Sequence, residues 1–201
     1  MLAAGQSSRF RAAGGLGATK LTEKLDGNPI VRMATEAALA SKARPVVVVT
    51  GHARNSVEAA LAGLGVGIAF NPEFSTGLAS SLRIGLSVMP ADVAGALVLL
   101  GDMPWIEAPL IDALIDAFLA NRCALATAPT RGGRRGNPVL IGQSLFEAAT
   151  RLQGDKGARR LIDSLSASEL VEVEVSDAGV TIDIDTPSDL AAARRPPSRD
   201  A

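Results

Sequence analysis

Short runs of β-branched residues alternate along this chain with segments whose apolar positions recur every three or four residues. That alternation predicts βαβ crossovers and a largely parallel sheet covered on both faces. The clearest strand is Pro45 to Thr50 (PVVVVT), which ends at Gly51. Val57, Ala60, Leu61 and Leu64 then fall at helical intervals between Ser56 and Leu64. A strand at Gly67 to Phe70 stops at Asn71-Pro72, because the residue before proline is pushed out of regular helix and proline ends a ladder. A helix from Ser80 to Val88 leads to the wholly apolar strand Ala94 to Leu100, the kind buried on both faces and expected at the centre of the sheet. Beyond Gly101-Asp102-Met103-Pro104, the spacing of Leu110, Leu114, Ile115, Phe118 and Leu119 predicts an amphipathic helix from Pro109 to Asn121, with proline in its first turn. Strand Leu125 to Ala128 is expected to end at Pro129, and the Gly- and Arg-rich stretch Thr130 to Gly136 reads as a loop before strand Pro138 to Ile141. Helices at Gln143 to Leu152 and Lys156 to Leu165 follow, then strands near Val171 to Val175 and Val180 to Ile184. A closing helix opens at Thr186-Pro187, and the tail 194–201 (RRPPSRDA) is expected to be disordered.

The length of 201 residues suits one domain, and no internal repeat or long linker divides it. Hydrophobic residues at 47% and charged residues at 20% exclude a largely disordered chain. A net charge of -1 lacks the positive field of a nucleic-acid or acidic-membrane binder. One Cys and one His exclude an intramolecular disulfide and a four-ligand zinc site, so any metal is expected to be a hard cation held by carboxylates. The apolar runs fall well short of the roughly 18 residues that span a bilayer. The N-terminal MLAAGQSSRF has no basic leader before a sustained apolar segment, so a cytoplasmic, reducing location is expected.

Three places could carry chemistry. Gly5-Gln6-Ser7-Ser8-Arg9 follows the apolar strand end Leu2-Ala3-Ala4, where backbone N–H groups of a Gly-rich turn can hold phosphate and Arg9 and Lys20 can add charge. Neither a Walker motif nor G-x-G-x-x-G is present. Asp102 follows the most apolar strand, where ligands of open α/β sheets bind, and is the leading metal candidate. Asp183 and Asp185 share one side of a strand end, one of them being open to metal contact and the other to capping the next helix. Further candidates are Asn71-Pro72 and the loop Ser75 to Ser81, with Gly77, Ser80 and Ser81, ahead of a helix whose N-terminus could face a nucleotide, Ser80 being also readable as its N-cap. Arg131, Arg134, Arg135, Lys156 and Arg159 could grip an anion. His52 reads as a loop residue and Cys123 as a small core residue.

In their order these motifs resemble the nucleotidyltransferase family of molybdenum cofactor biosynthesis. The resemblance runs from Leu2–Arg9 and Lys20-Leu21 through Asn71-Pro72, Gly77, Ser80-Ser81-Leu82 and Gly101–Pro104. It continues through Arg135–Leu140 and Gly154–Arg159 to Asp183–Pro187. It implies a single nucleotidyltransferase domain over residues 1–193, with a three-layer Rossmann-like α/β fold around a mostly parallel sheet. The Ala-Ala-Gly form of the first loop resembles the CTP-using members. By that resemblance the enzyme transfers CMP from CTP to molybdopterin and releases pyrophosphate. Arg9, Lys20 and Asp102 then carry catalysis, and Mg²⁺ sits on Asp102 with Asp183 or Asp185. The nucleotide lies along Leu2, Ala3, Ala4, Gly5, Gln6, Ser7, Ser8, Asn71, Gly77, Ser80 and Ser81, and the acceptor along Arg135, Asn137 and Arg159. A molybdenum hydroxylase would be the protein partner. The competing readings are a cytidylyltransferase for an isoprenoid or sugar phosphate and a non-catalytic nucleotide-binding maturation factor. The chain departs from the family in three ways. Met1 stands only three residues ahead of Ala4-Gly5, so a shortened start or a piece of a longer polypeptide is expected. Phe10 to Thr19 is longer than usual, and Asn137 replaces the usual His.

Overall fold

Apolar strands that bury both faces need a neighbour on each edge and a helix layer above and below. A computed structural model describes residues 1–156 and 158–194 and shows that arrangement. Gly157, the Lys156 side chain and the tail 195–201, on which the expectation of disorder falls, lie outside the described residues.

In chain order the elements are β1 (Leu2–Ala3), α1 (Ser8–Ala12), β2 (Lys24–Leu25), β3 (Asn28–Pro29), α2 (Ile30–Ala40), β4 (Val47–Thr50), α3 (Arg54–Ala60), β5 (Gly67–Phe70) and α4 (Leu78–Ser87). They continue with β6 (Gly95–Val98), α5 (Ala108–Ala120), β7 (Ala126–Arg131), β8 (Arg134–Arg135), β9 (Val139–Gly142), α6 (Phe146–Thr150), α7 (Arg159–Ile162), β10 (Leu170–Glu174) and α8 (Pro187–Ala193). The order β5-β4-β1 joins β6-β9-β7-β10 through a parallel bridge between Leu2 and Leu100. The apolar strand β6 is therefore central, as its composition implies, and β9 runs antiparallel to both of its neighbours, β6 and β7.

Alternate strand residues face opposite layers. Leu2, Val49, Val98 and Ile141 pack against Leu82 and Leu86 of α4, Ala149 of α6 and Ile162 of α7. On the other face, Leu99 and Val46 meet Ala34 and Ala38 of α2 and Ile111 of α5, while Ala3 and Val48 meet Val57 of α3. This is the expected three-layer Rossmann-like α/β fold. No helix among the described residues is long and apolar enough to cross a membrane.

Several local expectations are corrected. The stretch Thr130 to Gly136 is a β-hairpin, Thr130 pairing with Arg135 and Arg131 with Arg134. Its turn residues Gly132 and Gly133 both have positive φ (55° and 74°), as a tight hairpin matched to strand twist requires. Strand β7 runs through Pro129 to Arg131, because the carbonyl of Pro129 faces Gly136, on a side where pairing with β9 has already ended at Thr127 and no donor is needed. Val180 to Ile184 is not a strand. The Asp177 carboxylate accepts from the Gly179 N–H and starts a short 3₁₀ turn over Ala178–Thr181. Helix α4 begins at Leu78, two residues earlier than expected, and Ser80 is not its cap. The region between Leu21 and Pro45, where no element is expected above, holds the β2–β3 hairpin and α2. Cys123 is exposed on the loop after α5 rather than in the core.

Candidate active site

The loops after β1 and β6 leave adjacent strands at their carboxyl edge and open a cavity of about 520 Å³. Leu2 through Phe10 form one wall, and Gly77, Leu78, Ser81, Asp155 and the acidic loops complete it. Ser7 turns the chain into α1 from the left-handed region (φ 53°, ψ 34°), an uncommon conformation for a residue with a side chain. Two hydrogen bonds hold it there. Its buried hydroxyl accepts from the Lys20 N–H at 3.1 Å and pairs with the Thr19 hydroxyl at 3.0 Å. The long stretch from Phe10 to Thr19 thus returns Lys20 to the loop it left. His52 braces the return, with its Nε2 at 3.1 Å from the Ala18 carbonyl.

At the floor of the cavity Asp102, Asp183 and Asp185 bring carboxylate oxygens within 4.8 Å of one another. Asp102 arrives at the end of β6. The other two arrive on a segment whose buried Ile184 donates its N–H to the Asp102 carbonyl at 3.0 Å. Residues on either side of Ile184 then point the same way. Neither caps the next helix. Thr186 does, in a capping box with Asp189, so both carboxylates are left for the cavity.

Lys20 lies among them, its Nζ 2.7 Å from Asp102 and 2.6 Å from Asp185. Arg9 pairs with Asp185 from the mouth. Burial works against the Lys20 charge, but Asp102 and then Asp185 outweigh it and raise the ammonium above its ordinary pKa. Withdrawal from water, and then the charges of Asp185 and Asp102, raise the Asp183 carboxyl above the usual range. Asp102 Oδ1 is buried without a hydrogen-bond partner among the described residues. Clustered carboxylates with one orphaned oxygen are a donor set for a hard divalent cation, so these residues fit the implied metal.

Behind this wall Asn71 and Ser80 are buried rather than cavity-lining. The Asn71 amide donates to the Ser80 and Ser81 hydroxyls at 2.9 and 3.0 Å, and Ser80 Oγ reaches the Glu73 and Gly77 carbonyls. Both support the 73–77 turn from behind, while Gly77 and Ser81 line the cavity. A second cavity of about 500 Å³ adjoins the first and shares Leu78, Leu100 and Asp155 with it. Arg135, Asn137 and Arg159 line it together. Arg135 is bound to Asp163 at 2.8 Å and Glu172 at 2.9 Å, which orients it and uses much of its charge.

The chain matches the MobA-like NTP transferase domain over residues 1–170. It belongs to that family. The family is one of NTP transferases. It is 36% identical over 144 residues to the bifunctional protein GlmU of Acidovorax ebreus, a match covering 67% of this chain and 29% of that protein. The chain therefore spans less than a third of the GlmU relatives' length. It is 28% identical to the purine catabolism protein PucB of Bacillus subtilis over 96% of this chain and 94% of that one. Among solved structures it resembles a nucleotidyl transferase from Methanothermobacter (TM-score 0.80, 26% identity, 96% of this chain and 93% of that one). It also shares the fold of Mycobacterium tuberculosis Rv0371C in complex with manganese (TM-score 0.78, 23% identity, 95% and 94% coverage).

The NTP transferase reading unites Leu2 to Arg9, Lys20, Asp102, Asp183 and Asp185 in one cavity. Sequence reasoning missed Phe74 and, above all, Asp155, which touches both cavities. Asp155 stands inside the Gly154–Arg159 motif, and the position of that motif was its available signal.

Proposed function

We propose that this NTP transferase is a CTP-dependent cytidylyltransferase that transfers CMP to the terminal phosphate of molybdopterin. The observation that carries the reading is the convergence of Asp102, Asp183, Asp185 and Lys20 below the Gly5–Ser8 loop, beside a second cavity lined by Arg135, Asn137 and Arg159. A phosphate oxygen of the acceptor attacks the α-phosphorus, a new P–O bond forms, and the bond to pyrophosphate breaks. The reactants are anions, so positioning and charge neutralisation provide the catalysis. The loop backbone and Ser8 cradle the triphosphate, while Arg9 and Lys20 neutralise the departing pyrophosphate. Asp102, Asp183 and Asp185 would hold Mg²⁺, which when bound supplies positive charge to the phosphates. Arg159 and the oriented Arg135 receive the acceptor's anionic end. No general base is needed, since a phosphate nucleophile is ionised near neutral pH. The preference for CTP rests on Ala4 in the Ala-Ala-Gly loop. The motif order supports a molybdenum hydroxylase as recipient of the product.

The test is pyrophosphate release with Mg²⁺ and each of the four nucleoside triphosphates, using molybdopterin, an isoprenoid phosphate and a sugar phosphate as acceptors. Release with CTP and molybdopterin is expected, and Asp102→Asn should lower it by about 10²-fold or more. Release with another nucleotide or acceptor instead would replace that part of the reading. Nucleotide binding without release from any acceptor would mark a non-catalytic maturation factor.

A further inference from the structure

In the free protein Lys20 stands where a metal would need to be. Its ammonium contacts Asp102 and Asp185 together, and its side chain is only 11% exposed. Carboxylates this close repel one another unless a cation lies between them, and here the chain supplies one of its own. A divalent ion needs the same oxygens at about 2.0–2.6 Å, and an ammonium beside it would be a like charge at contact distance. The two cations therefore compete for one position.

We propose that Lys20 is a built-in counter-cation, which keeps the acidic site closed to a free divalent ion and yields it when metal arrives together with a polyphosphate. The backbone of Lys20 is anchored while its ammonium can move. Its N–H is tied to the Ser7 hydroxyl at 3.1 Å, and Thr19 beside it is fully buried. The ammonium faces the cavity whose other wall is the Gly5–Arg9 loop, so a polyanion bound there offers it a new partner within reach of a side-chain rotation. Metal and polyphosphate then favour one another's binding, since each removes what opposes the other. This rests on the metal site of the proposed function but not on CTP or molybdopterin.

The experiment is a Mn²⁺ titration, followed by electron paramagnetic resonance, of the nucleotide-free wild-type, Lys20→Met and Lys20→Arg proteins. Lys20→Met should bind Mn²⁺ about 10-fold or more tighter than wild type, and Lys20→Arg should stay weak. Equal or weaker binding by folded Lys20→Met overturns the proposal. Because that variant leaves Asp102 without its ion pair and Asp185 with Arg9 alone, the wild-type protein gives a second readout that needs no substitution. The Lys20 ammonium resonance should shift on adding Mg²⁺ with inorganic triphosphate and much less with Mg²⁺ alone, and an unmoved resonance at saturation overturns the proposal equally. Mn²⁺ binding that survives Asp102→Asn in the Lys20→Met background would reject the metal site itself. Tighter Mn²⁺ binding without cytidylyl transfer would reject only the substrate reading.

Discussion

Asp183 and Asp185 can face the cavity because another residue caps the helix that follows them. The Thr186 hydroxyl accepts from the Asp189 N–H at 3.1 Å, and the Asp189 carboxylate accepts from the N–H groups of Asp185 and Thr186. Thr186→Ala should therefore cost about 1 kcal/mol, measured by urea denaturation, and loosen the approach of Asp185 to the site. The capping box also makes a prediction about acid stability. Burial alone would raise the Asp189 pKa, but the Thr186 hydroxyl and the two backbone N–H groups prevail and lower it below 3.8. A depressed carboxyl contributes stability that is fully present above the unfolded value and is lost as pH falls through the folded one. Asp189→Asn should remove this part of the acid limb, so the urea midpoints of variant and wild type should converge as pH falls below about 4 and separate above it.

The close approach of two loops decides whether the cavities adjoin. Gly77, ahead of α4, has φ 111° and ψ 176°, a region open in practice only to glycine. A Cβ there would lie 2.5 Å from the Gly154 carbonyl carbon and 2.8 Å from Asp155 Oδ1. Gly77→Ala should cost about 1–3 kcal/mol and push the Gly154–Lys156 turn away from the cavities. In steady-state kinetics the KM for the acceptor should rise more than the KM for the nucleotide. An unchanged acceptor KM would separate that turn from acceptor binding.

Across the whole molecule, the site is joined by a small core that lies off the main sheet. Phe10 from α1, Leu25 from the β2–β3 hairpin, Ile30 from α2, and Ile184 and Leu190 from the chain's last segment pack together. This cluster presses the Asp183–Asp185 segment against the end of β6. Ile184 is fully buried, and Ile184→Ala should cost about 2–5 kcal/mol while weakening Mn²⁺ binding, because the lost side chain separates two of the three carboxylates. Thermal denaturation and metal titration on the same sample test both effects. A stability loss with unchanged Mn²⁺ affinity would mean that the hydrogen bond from the Ile184 N–H to Asp102 suffices to place the acids.

The layered α/β class, the central place of the Ala94–Leu100 run and the helix from Pro109 follow from local periodicity, since each element records in its own sequence which faces are buried. Helix α2 was legible on the same terms, with Ile30, Ala34 and Ala38 at four-residue spacing. Val180 to Ile184 misled because its β-branched residues suit a strand, while the cap that bends it belongs to Asp177. The motifs named the site residues individually, and tertiary structure decided their partners. The Lys20–Asp185 contact joins residues 165 positions apart, and whether Lys20 meets a phosphate or a carboxylate depends on how the last segment docks. That docking is settled by packing around Ile184 and Phe10, which no window of neighbouring residues encodes.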